Sequence, residues 1–222
     1  QPLLMDGAAR TNLWLEGMPM YSCPAQWMLE HPERVQKLQR EFLQAGSRML
    51  CTPTAQADSV TLQKWDAQQQ MEPYNEQLAR LTVESCRRAE QKTLAAGVIA
   101  PLELLAEPFG ETPFFELVNI YAHQAFALQR GGVDLLIADT MTTLSQSRAT
   151  IGAVLRHCQT IALCSGLPVF RSQSSVVSRW LVMPIAAMLS SGTPEMRTTS
   201  RSASTCVLRI AAGSCSTQPG CG

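Results

Sequence analysis

The chain has 222 residues, 45% hydrophobic and 16% charged, with a formal net charge of zero. That length fits one domain or one and a fraction, the apolar content supports a large core, and the neutral balance gives no electrostatic reason to expect nucleic acid or an anionic membrane as a partner. No apolar run reaches the roughly 20 residues that span a bilayer, and the N-terminus shows no basic region followed by an apolar one, so no secretory signal is expected. The eight Cys, at 23, 51, 86, 158, 164, 206, 215 and 221, contain no Cys-x-x-Cys. They read as reduced thiols of a cytoplasmic protein rather than as a disulfide framework.

Residues 3–6 form a short apolar run closed by Asp6 and Gly7, which reads as a first strand. Residues 8–15 fit a turn or short helix, and 18–28 a Pro-containing loop. His31-Pro32-Glu33 opens a helix, with Pro at an early position and an acid in the first turn. Val35, Leu38 and Phe42 repeat at helical spacing as far as Gln44, and Ala45-Gly46 stops the pattern. Residues 49–54 are a second short strand with a polar exit, followed by a loop rich in Gln and Asp. Pro73 then opens a long helix with Leu78, Leu81 and Val83 inward. Residues 97–101 read as the third strand, 108–111 as a turn, and 114–129 as a helix with Leu117, Tyr121 and Leu128 on one side.

The segment 131–141 organises the rest. A Gly pair leads into Val133-Asp134-Leu135-Leu136-Ile137-Ala138, and the run leaves through Asp139 and Thr140. A run of this length between turn signals is a buried, parallel strand, with helical patterns on both sides at about 113–130 and 143–158. Residues 167–170 supply a fifth strand. Five strands with four helices between them define an α/β protein. Their shortness and even alternation favour a partial TIM (β/α)8 barrel over a doubly wound sheet. A full barrel takes about 250 residues and eight units, so five units leave strand edges open at positions one and five. A carboxylate at the C-terminal end of such a strand faces the ligand crevice, which makes Asp139 a candidate site residue. The competing reading is that it caps the next helix or closes a turn.

Four stretches, taken in order and spacing, resemble the homocysteine S-methyltransferase family, the homocysteine-binding barrel of the cobalamin-dependent methionine synthase type. LLMDGAART (3–11) resembles its opening strand, which ends in Asp-Gly-Ala-Met-Gly-Thr. FLQAGSRMLCTPTA (42–55) resembles its Ala-Gly-Ala-Asp stretch leading to Thr-Asn-Thr-Phe. LLAEPFGE (104–111) resembles a loop found especially in the methionine synthase branch, and ALQRGGVDLLIADTMTTLSQSRA (127–149) resembles the strand that exits through Glu-Thr-Met or Glu-Thr-Phe. GLPVF (166–170) matches the entry to strand five, so the likeness covers about 3–170.

The resemblance implies transfer of a methyl group to the zinc-activated thiol of homocysteine, giving methionine. Zinc deprotonates a thiol that is otherwise mostly protonated at neutral pH, and a catalytic zinc keeps one position open for the substrate sulfur. The family holds zinc through three Cys, one after strand six and a pair near the end of the barrel. By carry-over, Asp6 and Asp139 attract the substrate ammonium, while Gly7 and the Thr52–Thr54 loop let backbone donors reach its carboxylate. The LLAEPFGE loop is the basis for expecting methyltetrahydrofolate through cobalamin as donor, with folate- and cobalamin-binding domains as partners. The closest enzymatic alternative takes its methyl group from a small sulfonium or betaine. Three departures bear on substrate binding. Arg10 stands where the family has its second Gly, Pro53 replaces the Asn between the two Thr and removes a backbone donor, and Asp139 is one methylene shorter than the family's Glu.

Composition breaks near Arg171. Residues 1–170 hold 13 Lys+Arg against 17 Asp+Glu, and 171–222 hold five Arg, no Lys and one Glu. The second segment is rich in Ser and Thr, and Cys206 lies near the distance of a first zinc ligand, but its neighbours do not match and no adjacent Cys pair follows. No metal ligand and no catalytic residue is assigned. The division is therefore 1–170, an incomplete homocysteine-binding barrel, and 171–222, a Ser/Thr/Arg-rich tail read as an out-of-frame translation, or otherwise an aberrant end, of a longer gene. A non-catalytic or vestigial amino-acid-binding fragment without zinc is the alternative to an active methyltransferase. His31 is read as part of a helix start, and His123 and His157 as surface or structural residues, while Trp14 and Trp27 are read as packing.

Overall fold

The computed structural model describes residues 3–154 in full, together with the backbone of the strands at 160–165, 179–184 and 207–208. Strand β1 (Leu3–Leu4) leads into helix α1 (Ala9–Leu15). Helix α2 (Pro24–Glu30) then occupies what the sequence predicts as loop. Pro24 starts it at the first helical position, where the missing N–H costs nothing, and Pro24, Ala25 and Met28 are buried. Helix α3 (Pro32–Gln44) turns Val35 and Leu38 inward, against Leu13, Met28, Leu62 and Leu78. Trp14 and Trp27 pack at the edge of this cluster, as expected.

Strand β2 (Met49–Cys51) is followed by a short helix α4 (Ser59–Leu62), whose first turn Asp58 caps by accepting the Thr61 N–H at 2.8 Å. Helix α5 (Met71–Arg87), strand β3 (Leu94–Ile99), helix α6 (Phe114–Arg130), strand β4 (Leu135–Ala138) and helix α7 (Leu144–Val154) complete the repeating units. Strands β5 (Thr160–Ser165), β6 (Arg179–Pro184) and β7 (Val207–Leu208) follow.

Strands β2 to β5 are parallel in that order, with Leu50 opposite Ala95, Val98 opposite Ile137 and Ala138 opposite Leu163. Met5 bridges Met49 in the parallel sense, which sets β1 beside β2. Burial is two-sided. In β4, Leu136 and Ala138 join a cluster with Leu117, Tyr121, Leu128 and Ala149 of α6 and α7, while Leu135 and Ile137 join Met49, Ala96 and, at its edge, Leu3 and Met5. Helices outside and strand side chains inside are the pattern of an α/β barrel wall. This explains the unbroken apolar run at 135–138.

One expectation is corrected: the first strand does not carry an open edge, since β7 pairs antiparallel with β1, and the strand next to β4, β5, pairs antiparallel with β6. The antiparallel β5–β6 pair also departs from a regular barrel, in which each new strand adds in parallel. The expected strand at 167–170 and the helix residues after 154 lie outside the described residues, and β5 holds the place next to β4.

Gly97 in β3 shows how tight the wall is. A Cβ there would lie 2.6 Å from Leu136 and 3.3 Å from Leu128. Gly97→Ala is therefore expected to destabilise the fold by roughly 1–3 kcal/mol through overpacking, measurable as a lowered urea midpoint with an unchanged slope.

Candidate functional site

At the C-terminal edge of the sheet, side chains prolong the hydrogen-bond ladder beyond the strands. The Asp6 N–H donates to Met49 O at 3.0 Å, and the Cys51 N–H donates to Asp6 Oδ2 at 3.0 Å. One strand further, the Thr52 N–H donates to Ala96 O at 2.8 Å, and the Val98 N–H donates to Thr52 Oγ1 at 2.9 Å. The Thr54 hydroxyl donates to Val98 O at 2.8 Å and lies 2.7 Å from Thr52 Oγ1. At β4 the Asp139 N–H donates to Ile99 O at 2.8 Å. The parallel register thus brings Asp6, Thr52, Thr54 and Asp139 to one edge, where open α/β sheets and barrels take ligands.

The residues differ in what they can offer. Thr52 and Thr54 are buried, and their hydroxyls, with the Thr52 amide, are committed to β3. Their contribution is the shape of the loop rather than a donor from Thr52. Gly7 is exposed beside Asp6, and a Cβ there would come within 3.2 Å of the Phe42 ring, so a glycine keeps the exit of β1 open. Asp139 is half-buried, and the cap of α7 is Thr143, whose Oγ1 accepts the Gln146 N–H at 3.2 Å. Thr140, next to it, has φ of +49°, a left-handed conformation that a β-branched residue rarely adopts.

Asp6 is the unusual group. Its Oδ2 is paired, while its Oδ1 is buried with no hydrogen-bond partner among the described residues. Burial pushes its pKa up from 3.8 to about 6, against the lowering effect of the Cys51 N–H. A carboxylate held out of water with one oxygen unpaired is disfavoured in its charged form, and a cation beside it would offset that cost. Arg10 does not supply it as an ion pair. Its guanidinium lies over the Trp14 ring at 4.2 Å, and its Nε is buried without a partner among the described residues. Neither feature of Arg10 was legible in the sequence beyond its departure from the family's Gly.

Three buried amides that sequence reasoning did not single out hold the loops leaving this edge. Gln124 of α6 donates to Thr54 O at 3.1 Å and to Asn75 Oδ1 at 3.2 Å, and Asn75 of α5 donates to Ala57 O at 2.6 Å. Gln146 of α7 donates to Leu102 O and Leu104 O, both at 2.9 Å. A polar residue on the buried stripe of an amphipathic helix was the available signal.

The zinc that the resemblance implies finds no fit in this region. Among the described residues no group of three or more His, Cys, Asp or Glu could hold a metal ion. Cys23 and Cys86 are buried, and burial pushes the Cys86 thiol up to about 12, the opposite of a thiolate ligand. Cys158, Cys206, Cys215 and Cys221 lie outside the described residues, as does His157, and of Cys164 only the backbone in β5 is described. His31 stacks on Trp27 with ring centroids 4.4 Å apart, and His123 pairs with Glu72 on the surface at 3.0 Å.

A parallel α/β wall with polar side chains gathered at its strand ends fits a partial α/β barrel. The profile of the homocysteine S-methyltransferase family matches residues 3–216, and the chain belongs to that family. The match runs beyond residue 170, where the motifs end. Among solved structures, the chain is similar to the homocysteine methyltransferase MmuM from Escherichia coli in three forms. The metallated form is 21% identical over 71% of this chain and 61% of that one, with a TM-score of 0.58. The apo form is 17% identical over 76% and 59%, with a TM-score of 0.56. The oxidised form is 21% identical over 70% and 59%, with a TM-score of 0.54. The chain thus spans about three-fifths of the length of these structures, and the likeness is one of fold.

Proposed function

We propose that the strand-end site binds homocysteine and that the chain serves methyl transfer to its thiol, giving methionine. The observation that carries this reading is the buried Asp6 carboxylate with its unpaired Oδ1 at the exit of β1. The substrate ammonium supplies the missing donor there, and Asp139 at the exit of β4 adds a second negative charge on the same edge. Gly7 leaves room for the backbone to approach the carboxylate, and Thr52 and Thr54 fix the wall behind it. Family membership supports homocysteine as the substrate. Among the described residues no helix is long and apolar enough to cross a membrane.

The finer assignments rest on the resemblance. The methionine synthase branch, with methyltetrahydrofolate as donor through cobalamin, follows from the loop 104–111. There the Glu107 N–H donates to Thr112 O at 3.0 Å, closing the loop and leaving Phe109 exposed. Zinc, when bound, supplies the deprotonated thiol, and its ligands have to come from outside the described residues. Elemental analysis of the purified chain tests this. The catalytic reading predicts about one zinc per chain, lost in Cys206→Ser. Zinc below a tenth of that value leaves homocysteine binding without methyl transfer. The rival reading, in which residues 171–222 are out of frame, Cys206 is no ligand and the chain is an inactive fragment of a methyltransferase, is tested by sequencing the coding DNA across 169–175 and translating the other two frames. A strand-six Cys and a later Gly-Gly-Cys-Cys in one of them supports it, and an intact frame coding for the present tail overturns it.

A further inference from the structure

The loops that carry the strand-end site are not held by their own strands alone. The loop leaving β2 is gripped at two carbonyls. Gln124 Nε2 donates to Thr54 O at 3.1 Å, Asn75 Nδ2 donates to Ala57 O at 2.6 Å, and the two amides are joined by Gln124 Nε2 donating to Asn75 Oδ1 at 3.2 Å. Asn75 is anchored on its own helix by a second bond to Met71 O at 2.7 Å. The loop leaving β3 is gripped in the same way. Gln146 Nε2 donates to Leu102 O and Leu104 O at 2.9 Å each, the Tyr121 hydroxyl donates to Gln146 Oε1 at 3.3 Å, and the Leu102 N–H donates to that hydroxyl at 3.2 Å. Gln124, Asn75, Gln146 and Tyr121 are all at most 2% exposed.

Each glutamine belongs to the unit after the loop it holds: α6 follows β3 yet grips the β2 loop, and α7 follows β4 yet grips the β3 loop. We propose that Gln124 with Asn75, and Gln146 with Tyr121, are positioning residues that hold the β2 and β3 exit loops in the shape the substrate requires. Primary amides suit the task. A buried loop carbonyl needs a donor, an apolar replacement leaves it unpaired, and a carboxylate would face it with a second acceptor. The two N–H groups of one amide reach two acceptors at once, which fixes a loop as well as attaching it. Low-dielectric surroundings strengthen such a network. Precise placement of binding groups matters because small displacements are costly in a preorganised site.

The inference rests on the proposed homocysteine site, and the experiment separates the two. Gln124→Met keeps the length and shape of the side chain and removes both donors. Val83→Ala, in the core between α5 and the sheet, serves as a control that loosens the fold without touching the clamp. Amide hydrogen exchange and L-homocysteine affinity are measured for the full chain and both variants, in urea adjusted so that the variants are equally stable. Exchange at 54–58 at least tenfold faster in Gln124→Met than in the control, with homocysteine affinity about tenfold weaker than in the control, is the expected result. Equal exchange at 54–58 in the two variants overturns the clamp. A parent chain that fails to bind homocysteine overturns the functional reading instead, and the exchange comparison then decides the clamp alone.

Discussion

Replacing Asp6 by Asn is expected to weaken homocysteine binding by roughly tenfold to a hundredfold and to make the free protein more stable at neutral pH. The loss follows from the paired oxygen that remains and the charge that does not. A hydrogen bond between an ammonium and a carboxylate contributes about 1.5–3 kcal/mol, and Asn offers no charge. The gain follows from burial. A carboxyl with a pKa of about 6 in the fold and 3.8 outside it binds more protons folded than unfolded, so stability falls as pH rises from about 4 to about 6 and stays low above that. The difference corresponds to about 3 kcal/mol at pH 7. Asn recovers part of it, because its carbonyl still accepts from the Cys51 N–H, and a gain of about 1–2 kcal/mol is expected in urea unfolding. Binding has the opposite pH sense. The ammonium favours ionised Asp6, so affinity declines as pH falls below about 6, and this decline disappears in Asp6→Asn. A variant that binds homocysteine normally would remove Asp6 from the site.

Replacing Thr54 by Val is expected to cost about 2–4 kcal/mol of stability. The two side chains have the same shape, so the loss is that of the hydroxyl. Its removal leaves Val98 O without the 2.8 Å donor and the Thr52 hydroxyl without its partner at 2.7 Å, both in a fully buried setting. Each unsatisfied buried group costs about 1–3 kcal/mol. For a chain of this size the thermal midpoint falls by roughly 4–16 °C. Thr54→Ser, which retains the hydroxyl, is expected to recover most of the loss. Equal stability of the Val and Ser variants would show that the Thr52–Thr54–Val98 lattice contributes little.

The elements that the sequence announced most clearly are those whose residues obey local rules. The apolar run 135–138 is a strand because both of its faces are covered, and α3, α5 and α6 follow helical spacing with buried Val35, Leu38, Leu78, Leu117 and Leu128. Helix α2 was hidden because its buried side, Ala25 and Met28, is short and Pro24 reads equally as loop. The pairing of β7 with β1 and of β6 with β5 was not legible, since Val207–Leu208 and Arg179–Pro184 are short strands whose partners lie far away in sequence or run in the opposite sense to the repeat.

The site was legible in part. Asp6, Gly7 and Asp139 could be placed at strand exits from motif and register. The internal use of the Thr52 and Thr54 hydroxyls could not, because a Thr in a loop gives no sign of which strand its oxygen will meet. The amides Gln124, Asn75 and Gln146 were missed for a related reason. Their partners are backbone carbonyls, which leave no mark in a sequence.

The most direct test of the strand-end site is the amide chemical-shift map of the 15N-labelled chain titrated with L-homocysteine at pH 7. The account predicts saturable shifts centred on Asp6, Gly7, Asp139 and Thr140, and their loss in Asp6→Asn. Shifts centred elsewhere, or none at millimolar homocysteine, would contradict it.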